Sequence, residues 1–103
     1  MADKGSTNNK IRAKVSDYGH GLRSYEDLNL IRIKSDNYSL LIMNGHFPVI
    51  GSINGNVEFI TDDDSVVLED IKGFFIHRDN EFSLVIEDSV ETERISEEAM
   101  NEG

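Results

Sequence analysis

Between residues 10 and 88 short apolar runs are separated by polar breaks roughly every 8–12 residues, a spacing that predicts many brief strands and leaves little room for long helices. Ile11, Ala13 and Val15 alternate with charged neighbours. Leu28 and Leu30, followed by Ile31 and Ile33, place apolar groups on both faces, as in a buried strand with a bulge where the phase slips. Residues 40–43 form a continuous apolar run, and Val57 and Phe59 alternate again. Val66 to Leu68, Phe74 to Ile76, and the alternating Phe82, Leu84 and Ile86 complete the series. The expected core is Leu30, Ile33, Leu41, Val57, Phe59, Phe75, Leu84 and Ile86.

The breaks carry turn chemistry of their own. Asn54-Gly55 suits a tight hairpin, because both residues tolerate positive φ. Asp62-Asp63-Asp64 and Arg78-Asp79-Asn80 read as solvated turns, and Pro48, lacking an N–H, belongs outside a central ladder. Such strands cannot bury their apolar faces in one flat sheet. The expected fold is all-β: a β-sandwich or flattened barrel over residues 10–88, with a short acidic C-terminal tail. Residues 1–9 read as a disordered leader. Residues 89–103 read as a helical or disordered tail, where Asp88 and Glu91 can form a capping box.

Length and charge narrow the function. One domain is expected for 103 residues. A formal charge of −10 disfavours nucleic acid and anionic membrane surfaces, and favours a basic protein partner. The absence of cysteine removes disulfides and thiolate metal sites and favours a reducing compartment. No apolar run approaches the roughly twenty residues of a membrane-spanning helix, and residues 1–10 hold no signal-peptide core, so no direct membrane insertion is expected.

Candidate chemistry is sparse. His20, His46 and His77 form no HxH or HExxH pattern, so no metal is expected. The Asp triplet lacks the spaced ligands of a calcium loop. Gly19 and Gly21, which flank His20, follow no strand-to-helix pattern that would cradle a phosphate. No serine sits in a nucleophile elbow, so no catalytic residue and no cofactor is expected. The segment that stands out is Asn44-Gly45-His46-Phe47-Pro48-Val49-Ile50. Either its apolar side chains join the core, or Gly45, His46, Phe47, Pro48, Val49 and Ile50 present a stiff apolar loop to a partner.

That segment resembles the Pro-Gly-His-Ala-Pro-Leu-Leu-like loop of the epsilon subunit of F-type ATP synthases (delta in mitochondria). Downstream, Ile71-Lys72-Gly73-Phe74-Phe75 resembles the family's Ser-Gly-Gly-Phe-like turn. Leu84-Val85-Ile86-Glu87-Asp88-Ser89-Val90 resembles its Val-Leu-Ala-Asp-Thr-Ala-like end, and Leu22-Arg23-Ser24-Tyr25 a Phe-Ser-Gly-like turn. The ordered set covers about residues 10–100. Asn37-Tyr38-Ser39-Leu40-Leu41 departs from the family's acidic Gly-Glu stretch, and the chain given ends at Gly103, before the paired C-terminal helices of many bacterial members. In the family's ATP motif, Ile/Leu-Asp-x-x-Arg-Ala, the aligned positions here are Ser96 and Ala99, so tight nucleotide binding is not expected.

The resemblance implies a non-catalytic central-stalk subunit that couples gamma and the membrane rotor ring to the catalytic head. It would be cytoplasmic, peripheral to the inner face of the membrane, with residues 45–50 towards the ring. The alternatives are an unrelated β-sandwich adaptor that shares the fold alone, and a small metal- or nucleotide-dependent enzyme using the His and Asp residues.

Overall fold

A computed structural model of the protein describes residues 10–88. The expectations for residues 1–9 and 89–103, including the capping box and the Ser96/Ala99 motif, lie outside them. Seven strands occur: β1 (Ile11–Asp17), β2 (Gly21–Leu28), β3 (Leu30–Ser35), β4 (Tyr38–Met43), β5 (Val49–Ile60), β6 (Ser65–Arg78) and β7 (Glu81–Asp88). They form one mixed sheet in the order β2-β1-β7-β6-β5-β3-β4. All pairings are antiparallel except β1 with β7, so the first and last strands run parallel side by side. The all-β expectation holds.

The sheet closes over one core. β5 and β6, at 12 and 14 residues, are long enough to twist through both layers. Tyr25 of β2 stacks on Phe59 of β5 with ring centroids 4.9 Å apart, although those strands are not neighbours in the sheet. Phe82 packs against both Phe59 and Phe75, and Ile11, Val15, Ile31, Ile33, Ile42, Ile53 and Leu84 fill the remaining space.

Bulges account for the shifts in apolar phase. Ile11 faces Leu28 and Ala13 faces Tyr25, so β2 carries an extra residue at Glu26-Asp27. Gly55 faces Ile71 and Val57 faces Leu68, so β6 carries one at Glu69-Asp70. Asp27 and Asp70 both adopt φ of 56°, the left-handed conformation that Asp tolerates better than most residues. Each extra residue moves the following side chains to the opposite face. Leu68 and Ile71 are therefore both inward despite their odd spacing.

Several expectations are corrected. Asn54-Gly55 is no hairpin: it lies inside β5, where Gly55 approaches β3 so closely that a Cβ would fall 2.2 Å from the Lys34 carbonyl oxygen. The apolar runs at 49–50 and 57–59 belong to one strand, as do those at 66–68 and 74–76. Residues 22–25 are strand and not turn, and the 28–34 segment is split by a corner at Asn29, whose N–H donates to the Ile60 carbonyl. Leu41 is 45% exposed, because Arg32 is its register partner on the outer face; Ile42 takes the core position instead. Leu30 is only half-buried. The turns at 62–64 and 79–80 lie where expected, and Pro48 is outside the ladder.

Candidate functional site

Residues 44–48 connect β4 to β5 at the end of the molecule where β6 turns into β7. The β6–β7 turn is built from Asp79 and Asn80, with φ of 52° and 59°, the paired left-handed geometry of a two-residue hairpin. Asn80 then acts as a clamp. Its Oδ1 accepts from the Gly45 N–H at 2.9 Å, its Nδ2 donates to Asn44 Oδ1 at 2.6 Å, and its carbonyl accepts from the Arg12 N–H at 3.0 Å. One residue thus ties the loop, the hairpin and the start of β1 together. Gly45, at φ 82°, makes the reversal, and the His46 N–H closes it onto the Met43 carbonyl at 3.0 Å.

Beyond that anchor the loop faces water. Phe47 is 72% exposed and Ile50 71%, while Val49 is half-buried against the core. The core-filling alternative therefore holds for Val49 and fails for Phe47 and Ile50. His46 Nδ1 lies 2.7 Å from the Phe47 carbonyl, which only accepts, so Nδ1 carries the hydrogen. Between the loop, the β6–β7 turn and the ends of β1 and β2 is an open depression of about 720 Å³ with Lys10, Arg12, Glu26, Asp27 and Asp79 on its walls.

The exposed apolar surface continues from the loop onto the sheet. Ile50 of β5 faces Ile76 of β6, and Phe74 of β6 faces Val85 of β7. All four are among the exposed large apolar side chains, and small Ser52, Ser83 and Ser16 lie beside them in register. Sequence reading placed Phe74 to Ile76 and Val85 in strands without assigning them a surface. The cue was apolar residues on both faces of β6 and β7, where one-sided burial predicts alternation.

The structure brings two of the three histidines together. His77 is fully buried in β6, between register partners Val49 and Phe82, and its ring lies 6.0 Å from that of His46, edge to face. Among the described residues neither His77 nitrogen has a hydrogen-bond partner. Burial, reinforced by His46, holds His77 below the ordinary histidine value of 6.5, with Asp79 opposing more weakly. His20 is elsewhere, donating from Nδ1 to buried Asp17 at 2.9 Å in the β1–β2 turn, with Gly19 N–H and Arg23 on the same carboxylate. Among the described residues no three His, Cys, Asp or Glu side chains gather as metal ligands. Of the Asp triplet, Asp62 accepts from Asn29 and Lys10, and those bonds lower its pKa.

Comparison with known proteins finds no matching family model and no matching curated protein. Among solved structures the chain is similar to one in the cryo-EM structure of the Tetrahymena thermophila mitochondrial ATP synthase central stalk and c ring, with 17% identity and a TM-score of 0.62. The match covers 77% of this chain and 64% of that one, so the chain spans under two-thirds of its neighbour's length. At this identity the likeness is one of fold.

Proposed function

We propose that the protein is a non-catalytic central-stalk module of an F-type ATP synthase, an epsilon-like subunit that couples gamma and the rotor ring to the catalytic head. The observation that carries this reading is the exposed apolar surface of Ile50, Ile76, Phe74 and Val85 on β5, β6 and β7, with exposed Phe47 on the adjoining loop. A rigid sheet face with several large apolar groups is what a stalk protein needs for permanent attachment. The fold likeness to a chain of an ATP synthase stalk, and the ordered motifs at 44–50, 71–75 and 84–90, agree with it.

In this reading two surfaces divide the work. The flat face of β5, β6 and β7 docks on gamma, where apolar burial gives a lasting contact. Residues 45–50 meet the polar loops of the ring. The Asn80 clamp and Pro48 hold that loop in one shape, so little conformational freedom is lost on docking. The chain's net charge of −10 favours a basic partner surface. Torque transmission needs shape and stiffness, and no bond is made or broken by this chain. The location is then the inner face of the membrane, reached through the complex.

Purification of the tagged full-length chain from its native source tests this. Recovery with the gamma and ring subunits supports the reading. Recovery with an unrelated assembly, and without them, favours an adaptor that shares only the fold.

A further inference from the structure

We propose that His77 makes the seating of the 44–48 loop depend on pH: the loop stays seated while the His77 imidazole is neutral and is released when that imidazole takes up a proton. The inference stands on this chain alone and holds whether or not the loop meets a rotor ring.

The geometry begins with an orphan. A fully buried histidine ordinarily gives its ring nitrogens to a carbonyl or a carboxylate, yet among the described residues neither His77 nitrogen has such a partner. The neutral ring is tolerated as a flat, weakly polar body against Phe82, 6.2 Å away, and His46, 6.0 Å away. The imidazolium is not: it would be a buried cation with two N–H donors and nothing to receive them. Only movement of a neighbour can wet it. Phe82 lies inside the β6–β7 ladder, and Val49, the first residue of β5, is paired with His77 itself. His46 sits on a short loop fastened by a few bonds, chiefly the Gly45 N–H donating to Asn80 Oδ1 and Asn80 Nδ2 donating to Asn44 Oδ1. The loop is the element that yields.

The charges around the pair set the direction. Asp79, on the β6–β7 turn, favours the His77 cation, whereas a proton on His46 opposes it. Glu26 and Asp27 from β2 and Lys10 and Arg12 at the start of β1 line the depression on the loop's outer side. Arg12 is held by Glu81 at 3.6 Å, and Lys10 by Asn29 and Asp62. Lifting of the loop opens this depression, with the Glu26, Asp27 and Asp79 carboxylates, towards the imidazolium, whereas among the described residues no partner meets the His77 ring while the loop is seated. Protonation therefore favours the open arrangement, and acidification below the ordinary histidine range raises its population by up to about tenfold per pH unit for one proton taken up.

The test is a pH titration of the full chain from 8 to 5 by NMR, run with and without EDTA. The expected result is that the Gly45 and Phe47 amide signals move with the same midpoint as the His77 ring, below 6.5. His77→Gln, which cannot take up the proton, abolishes that movement. His77→Phe gives the same loss of response in a second background should the amide be poorly accommodated. A Gly45 response that survives both substitutions overturns the proposal. So does a His77 ring that titrates without movement of the loop, or a response that vanishes with EDTA and so belongs to a bound metal.

Discussion

Asn80 donates from Nδ2 to Asn44 Oδ1 at 2.6 Å across a gap of 36 positions in the chain, and in doing so fixes the β4–β5 loop to the β6–β7 turn. The same amide accepts from Gly45, so both ends of its side chain are used. Asn80→Gly keeps the left-handed backbone and removes both bonds. It is expected to cost about 1–3 kcal/mol, summed over two exposed hydrogen bonds at roughly 0.5–1.5 kcal/mol each. Denaturant melts measure the loss, and accelerated hydrogen exchange at the Gly45 amide places it. An unchanged Gly45 amide would show that the clamp does not hold the loop.

Much of this arrangement was legible in the sequence, and the failures have physical causes. Period-two runs placed Ile33, Val57, Phe59, Phe75, Leu84 and Ile86 in the core, and all six are buried. Leu41 failed because a four-residue apolar run has no internal phase; only pairing with Arg32 decides which side faces out. Asn54-Gly55 failed because a glycine needed for close backbone approach reads like a glycine needed for a turn. The loop at 44–50 stood out by composition. Its clamp and the buried His77 beneath it did not, since both depend on a contact between distant segments.

The two uses of glycine separate in mutants. Gly55→Ala puts a Cβ 2.2 Å from the Lys34 carbonyl oxygen, backbone that cannot move without disturbing the β3–β5 ladder. The expected cost is about 3 kcal/mol or more, or failure to fold. Gly21→Ala meets nothing within 4 Å and loses only the ease of its φ of 78°, about 1 kcal/mol. Equal losses in urea melts would contradict the close-approach account.

Core and outer face separate in the same way. Phe75→Ala removes a buried ring stacked on Phe82 at 5.2 Å and is expected to cost about 3–5 kcal/mol. Leu41→Ala, on the outer face of edge strand β4, should cost less than about 1 kcal/mol. A reversed order in denaturant melts would mean that the β4 register is wrong.

Asp62 gives a pH dependence at the acid end. Bonds from Asn29 and then Lys10 lower its folded-state pKa below 3.8, so its contribution is fully present above that value. It fades as pH falls from there through the folded-state pKa. Asp62→Asn should remove this component, so that the gap between wild type and variant in melting temperature is full near pH 7 and narrows as pH falls below about 4. A wild-type and variant profile that run parallel below pH 4 would contradict it.

In the proposed role the exposed loop and the face beside it are docking surface and not unfinished core. The direct test is binding of the full chain to a purified gamma–ring subcomplex, compared with its thermal melt, for Phe47→Asp, His46→Glu and Ile76→Asp. Phe47, Ile50 and Ile76 already face water in the isolated chain, so the account predicts melts close to wild type and affinity at least tenfold weaker for Phe47→Asp and Ile76→Asp. Binding unchanged by all three substitutions, in proteins that melt normally, would contradict it.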